Sequence, residues 1–355
     1  MTELSHTASM KRCLELAQKA GTAVGLNPLV GSVVFDARGS CIAEGHHRQY
    51  GAWHAEREAL LSLPNLDRAR GGTLYVNLEP CNHQGKTPAC TDIILEAGIS
   101  RVVLAMTDPN PRVSGQGIAR LREAGVEVIE GILEHDARIL NRRFWVNQIQ
   151  KRAFAHAKWA ETANGFMGSG VASQRLKISG DWAREQLLDL RDQEMAILVG
   201  VGTFNADMPG LFGRQSRAQR VVLDARLEGQ YSAYNGDLSR EWWVLHECSS
   251  APEIKGFRFV QLPDTRSAEQ VLQYLLQEGL GSVMIEGGRQ VLDGFLNQGM
   301  VDEISRFTSH SHWSPAAHNA ALKAPDARSF KGESMGNWTC QNGEGDALHT
   351  WKRTL

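Results

Sequence analysis

Short apolar or β-branched runs alternate with segments of helical period along most of this 355-residue sequence. In the first half, residues 31–35 and 40–43 read as strands around the turn Asp36-Ala37-Arg38-Gly39, followed by strands at 73–78, 101–105 and 126–129. Between them, residues 10–20, 55–62, 91–97 and 118–124 read as helices, and the last two stop at Gly98 and Gly125. Glycine ends a helix readily because it enters the left-handed conformation that closes the last turn. Strands alternating with helices restrict the fold to the layered α/β class.

The second half repeats the alternation. Strands are expected at 154–159, 196–201, 221–224, 242–246 and 282–285, with helices at 181–191 and 268–278. Between the halves lies the basic, aromatic stretch NRRFWVNQIQKR at 141–152. This composition shift puts a domain boundary near Gln150, giving domains 1–150 and 151–355. Two domains of that size each bury a sizeable core. From Phe307 onward the periodicity fades, and SHSHWSPAAHNAALKAP reads as loop or irregular structure.

Charge narrows the function classes. The chain has 38 Lys plus Arg against 40 Asp plus Glu, a net charge of −2. That excludes a strongly basic nucleic-acid-coating protein and a highly charged disordered chain. No apolar run reaches the roughly 18 to 20 residues needed to span a bilayer, and residues 1–11 lack the apolar stretch of a signal peptide. A cytoplasmic protein without membrane contact is expected. Of the six cysteines, Cys13, Cys41, Cys248 and Cys340 are widely spaced. They read as reduced, small apolar residues.

Cys81 and Cys90 differ, being separated by eight residues. Pro80-Cys81 follows the strand at 73–78, and His54-Ala55-Glu56 opens a helix. One imidazole and two thiolates make a three-ligand zinc site whose fourth position can hold water. Zinc brings the pKa of that water towards neutrality. Glu56, two residues from His54, can face the open position and shuttle protons to a leaving amine. The order H-x-E then P-C and a second Cys is that of zinc nucleobase deaminases, here with a longer spacer between the cysteines. A closed structural site would need a fourth protein ligand, for which His83 is the candidate. Iron in place of zinc stays open on ligand type alone.

Through Leu26-Asn27-Pro28-Leu29-Val30-Gly31, HAE, LEPCNHQGKTPAC and DPNPRVSGQG, residues 8–150 resemble the deaminase domain of the bifunctional riboflavin biosynthesis proteins. These join a pyrimidine deaminase to a reductase. The resemblance implies a cytidine-deaminase-like three-layer α/β/α domain acting on a diaminopyrimidinone that carries a ribosylamino phosphate. Zinc hydroxide would attack the amine-bearing carbon, and Glu56 would protonate the departing ammonia. Asn27 would contact the base, and His83, Lys86 and Thr87 the phosphate or ribose. Lys86 stands where Arg is usual. Read without the resemblance, Asn27 is a turn residue before Pro28 and Lys86 a solvated charge.

The second half carries landmarks of the reductase partner, which is dihydrofolate-reductase-like and uses NADPH to reduce the ribosyl group to ribityl. They are Lys158 to Gly165, the run AILVGVGT ending at Thr203, Asp207-Met208-Pro209, Arg220 to Asp224 and Ile285-Glu286-Gly287-Gly288. Gly287-Gly288 after a strand would let backbone amides approach a pyrophosphate, particularly if a helix starts at Arg289. By position, Ala160, Lys177, Thr203, Asp207 and Gly288 would contact the cofactor, and Arg191, Leu211, Arg214 and Glu286 the substrate. Asn164 and Met208 depart from the usual acidic residues, Lys177 from the usual Trp, and the usual Pro-x-x-x-Gly stretch is not recognisable near the C-terminus. A decayed reductase is therefore one alternative. Others are a deaminase acting on a nucleoside, RNA or DNA, and a deaminase-like scaffold, which would have no need of Glu56. The main expectation is a bifunctional enzyme for a small phosphorylated pyrimidine, without a nucleic-acid partner, assembled as a homo-oligomer (dimer or tetramer).

Overall fold

The β-branched runs of the first half assemble into one mixed sheet. The computed structural model describes residues 3–83, 88–111, 113–168, 178–215, 218–312, 322–325, 330, 333–339 and 346–353. It divides into two units, Met1–Lys151 and Arg152–Leu355. The first runs α1 (Glu3–Gln18), β1 (Gly31–Phe35), β2 (Cys41–His46), α2 (Ala55–Leu61), β3 (Thr73–Val76), α3 (Cys90–Glu96), β4 (Arg101–Leu104), α4 (Gln116–Glu123), β5 (Glu127–Ile129), α5 (Glu134–Leu140) and α6 (Arg142–Gln150). The sheet order is β2-β1-β3-β4-β5. The pairs β2/β1 and β1/β3 are antiparallel, while β3/β4 and β4/β5 are parallel.

Two glycines show why helices cover both faces. A Cβ on Gly31 would meet the α1 backbone at Cys13 and Ala17, and a Cβ on Gly45 would meet the α2 backbone at Ala55 and Ala59. Gly45 pairs with Ser32, the neighbour of Gly31, so the two glycines point to opposite faces. Hence α1 and α2 sandwich the sheet, and β3 is buried along its whole length. This is the three-layer α/β/α arrangement. The stretch at 141–152 is not an open linker, because residues 142–150 form α6, with Val146 and Asn147 buried.

The second unit contains β6 (Phe154–Glu161), β7 (Phe166–Gly168), α7 (Asp181–Arg191), β8 (Ala196–Gly200), α8 (Val201–Asp207), β9 (Gln219–Leu223), β10 (Trp242–His246) and β11 (Phe257–Gln261). There follow α9 (Ala268–Gln277), β12 (Ser282–Ile285), α10 (Arg289–Asn297), β13 (Glu303–Thr308), β14 (Leu322–Lys323), β15 (Glu333–Thr339) and β16 (Ala347–Lys352). The nine-stranded sheet has the order β11-β10-β9-β8-β12-β6-β13-β16-β15. It is parallel from β11 to β13, and β16 and β15 then join antiparallel. Strand β8 is buried throughout, as expected of a strand covered on both faces. Of the stretch 309–325 expected to be irregular, residues 309–312 form no helix or strand, 322–323 form the two-residue β14, and 313–321 lie outside the described residues; beyond it, β15 and β16 lengthen the sheet. Their polar and aromatic residues lie in a short antiparallel ribbon, and such mixed strands carry little apolar signal.

A buried ion pair anchors the start of this unit. Arg152 donates from both terminal nitrogens to Asp302, at 2.7 Å each, and Asp302 also accepts from the Ala155 amide at 2.9 Å. The fork ties the first residues of β6 to the residue before β13. Among the described residues, no helix is long and apolar enough to cross a membrane.

Candidate active sites

In the first unit, three elements deliver their chemistry to one point. His54 is the residue before α2, Cys90 is the first residue of α3, and Cys81 lies five residues beyond the end of β3, in the connection to α3. The His54 Nδ1 lies 3.5 Å from the Cys81 Sγ and 3.4 Å from the Cys90 Sγ. Zinc bonds of about 2.05 Å to nitrogen and about 2.3 Å to sulfur, at the tetrahedral angle, put N and S about 3.5 Å apart. The donor set therefore fits zinc in both kind and spacing. The three ligand atoms lie within 4.8 Å of one another, and His83 is outside the cluster. Nothing among the described residues closes the site as a fourth ligand.

The electrostatics match. Hydrogen bonds from Cys90 and His54, against the opposing effect of burial, lower the Cys81 thiol well below its ordinary range. Glu56, in the first turn of α2, is 3% exposed. Burial, reinforced by charge on Cys81, pushes its carboxyl up to about 7. A carboxyl titrating near neutrality can both take up and release a proton during turnover.

Two neighbours were not singled out from sequence. His47, just after β2, is buried, and its Nδ1 donates to the Trp53 carbonyl at 3.0 Å. That leaves Nε2 to accept from the Asn27 amide at 3.0 Å. Asn27 is thus held by His47, not merely placed in a turn. Glu79, between β3 and Cys81, accepts from four backbone amides. Gly117 and Ile118 donate to one oxygen at 2.9 and 3.3 Å, and Asp108 and Gly115 to the other at 3.1 and 2.9 Å. Only the run LEPC hints at this residue, and four main-chain donors leave no sequence trace. His83 is exposed, and Lys86 and Thr87 lie outside the described residues.

In the second unit, the central strands β8, β12 and β6 end side by side, the usual ligand position in parallel sheets. Glu286, immediately after β12, receives Arg191 of α7 at 2.6 and 2.9 Å and lies 3.8 Å from Lys158 of β6. Burial works against ionisation, yet the positive charges of Arg191 and Lys158 hold the Glu286 carboxyl below its ordinary range. Lys158 was read only as part of a motif, and the geometry gives it a place in the cluster. Arg191 also donates to the Phe212 carbonyl at 2.8 Å, beside buried Leu211. Arg214 is engaged elsewhere, with Asp189 and Glu185 on the exposed flank of α7.

A helix does start at Arg289, so Gly288 precedes the N-terminus of α10. The Gly288 amide donates to Thr203 Oγ1 at 2.8 Å, which joins two of the expected cofactor contacts. A Cβ on Gly288 would stand 3.1 Å from that oxygen, and one on Gly287 would stand 2.8 Å from the Gly200 amide. This bare backbone beside a helix start suits a pyrophosphate. Ala160 lies near the end of β6 and Asp207 ends α8, while Lys177 lies outside the described residues.

A cytidine-deaminase-like domain followed by a reductase domain is the class these two units define. Residues 4–106 match the family described as the cytidine and deoxycytidylate deaminase zinc-binding region, and residues 154–309 match the RibD C-terminal domain. The chain is similar to the riboflavin biosynthesis protein RibD of Actinobacillus pleuropneumoniae, with 36% identity covering 86% of this chain and 82% of that protein. Among solved structures, a RibD from Acinetobacter baumannii matches with a TM-score of 0.85 at 27% identity over 99% of both chains. A diaminohydroxyphosphoribosylaminopyrimidine deaminase/5-amino-6-(5-phosphoribosylamino)uracil reductase from Thermotoga maritima matches with a TM-score of 0.84 at 32% identity, again over 99% of both. The chain belongs to the RibD family of bifunctional deaminase/reductases of riboflavin biosynthesis.

Proposed function

We propose that the first unit deaminates 2,5-diamino-6-(5-phosphoribosylamino)pyrimidin-4-one and that the second reduces the ribosyl group of the product to ribityl. The observation that carries the reading is the convergence of His54, Cys81 and Cys90 on one point, with the buried Glu56 carboxyl against the Cys90 thiol. His54, Cys81 and Cys90 hold the metal. When bound, zinc supplies the Lewis acidity that makes water a nucleophile at neutral pH. Glu56 moves the proton from water to the departing amine, and its burial keeps bulk water from competing. Asn27, oriented by His47, meets the base. His83, Lys86 and Thr87 serve the phosphate or ribose end.

In the second unit, NADPH is the hydride source. Thr203, Gly288, Ala160, Asp207 and Lys177 line the cofactor side, with the amides at the start of α10 facing its pyrophosphate. Arg191, Leu211 and Glu286 line the substrate side, and Arg214 would join them only by leaving its partners Asp189 and Glu185. Arg191 and Lys158 against Glu286 leave one surplus positive charge, which suits a phosphorylated substrate. We further propose a cytoplasmic homo-oligomer, to be checked by analytical ultracentrifugation.

The test is a coupled assay on the metal-loaded protein with the diaminopyrimidinone ribosylamino phosphate. Ammonia release followed by NADPH oxidation is the expected result. Ammonia without NADPH oxidation would overturn the reading of the second unit, and absence of both would overturn the substrate assignment.

A further inference from the structure

We propose that Arg120 is a positioning residue for the metal site, tying together the residues that follow the two cysteines. This rests on the reading of His54, Cys81 and Cys90 as metal ligands. Arg120 comes from α4, outside the cysteine loop. Its Nη1 donates to Asn82 Oδ1 at 2.9 Å and to Thr91 Oγ1 at 3.0 Å. Its Nη2 meets Asp92 Oδ1 at 2.6 Å. The Thr91 hydroxyl in turn donates to Asn82 Oδ1 at 3.2 Å, and the Thr91 amide donates to the Cys81 carbonyl at 3.2 Å. One guanidinium thus joins the neighbour of Cys81 to the neighbour of Cys90.

The need for such a tie follows from the spacing. Two cysteines separated by two residues are held together by one tight turn, whereas here eight residues intervene. A spacer of eight residues has more conformations to give up on closure than one tight turn, so bringing the sulfurs together costs more entropy. Arg120 offsets that cost from outside the loop. Its own base is firm, because Glu79 accepts from the Gly117 and Ile118 amides at the start of α4. The ion pair with Asp92 is open to solvent on both sides and contributes little alone. The bonds to Asn82 and to fully buried Thr91 set the position. Lysine cannot replace the arginine, since a single ammonium does not present a planar fork to several acceptors.

The test uses the full-length protein, stripped of metal and reloaded with Co2+, with affinity read by chelator competition. The wild type is expected to give the visible bands and thiolate charge-transfer absorption of tetrahedral cobalt. R120A and R120K are expected to bind Co2+ about 10-fold more weakly, and N82A to weaken in the same direction. The double variant R120A/N82A should be no weaker than R120A. Wild-type protein without thiolate bands would overturn the metal-ligand reading and the tie with it. Wild-type bands with R120A and N82A within twofold of wild-type affinity would overturn the tie alone, whatever happens to thermal stability. Should R120A fail to fold, R120K and N82A decide by the same competition.

Discussion

The two sites bury charge in opposite ways. In the first unit, an imidazole, two thiols and a carboxyl converge, and the charge that completes them is a metal's. In the second, Glu286 meets Arg191 and Lys158, so charges of both signs come from the chain itself. The first site therefore depends on an ion that can be removed, while the second is assembled as the strands pair. The difference teaches that one chain can hold two chemistries with separate sensitivities, and each can be broken alone.

Metal removal divides the two most sharply. Chelation is expected to abolish ammonia release while leaving NADPH oxidation intact when the deaminated pyrimidine is supplied. Loss of both on chelation would show that the two sites are not independent. Glu56→Gln comes next. Loss of one general acid/base is expected to slow ammonia release about 10³-fold with zinc content unchanged by elemental analysis. A rate within fivefold of wild type would remove Glu56 from the mechanism.

Glu286→Gln tests the opposite site. It leaves Arg191 and Lys158 buried without their counter-charge, and breaking such a pair costs about 3 kcal/mol. Urea unfolding of the second unit should shift accordingly, with deamination unchanged. The sign with pH also follows. Because Glu286 is held below its ordinary range, its contribution is present above the free glutamate value of about 4.3 and is lost as pH falls through the lowered folded value. Wild type and Glu286→Gln should therefore converge in stability towards acid, and a constant gap from pH 7 to pH 3 would contradict the pairing.

The smallest expected effect is a gain. Met208 ends α8 in the left-handed conformation, with φ at 40°. Asparagine and glycine accept that conformation with less strain than methionine does. Met208→Asn should stabilise the second unit by about 1 kcal/mol or less, read from the urea midpoint. A loss of stability would mean that Met208's contacts with the aromatic core of this unit outweigh its backbone strain.

Legibility in the sequence followed the same division. Ligand types at fixed spacing made His54, Glu56, Cys81 and Cys90 readable, because metal chemistry restricts which residues serve. Strands with continuous apolar content were equally readable, and α7, β10 and β12 begin and end where the pattern placed them. Helix α6 was hidden by its basic and aromatic composition, and β15 and β16 by mixed, half-polar strands. His47 and Glu79 were missed for a different reason. Each acts through backbone groups or a single amide, and main-chain partners can belong to any residue. Lys158 stood in a quoted motif, but its pairing with Glu286 depends on the parallel register of β6 and β12.

The four amides gathered by Glu79 have a consequence for how this chain can change over time. All four donors are main-chain groups, so at 108, 115, 117 and 118 a change of side chain other than to proline leaves the donor N–H itself in place. Two glycines are exceptions: a Cβ on Gly117 would stand 2.0 Å from the Pro80 carbonyl oxygen, and Gly115 holds φ at 78°, where any side chain is strained. Drift at these positions is therefore limited by the backbone rather than by side-chain chemistry, and alanine is barred at Gly117 and strained at Gly115.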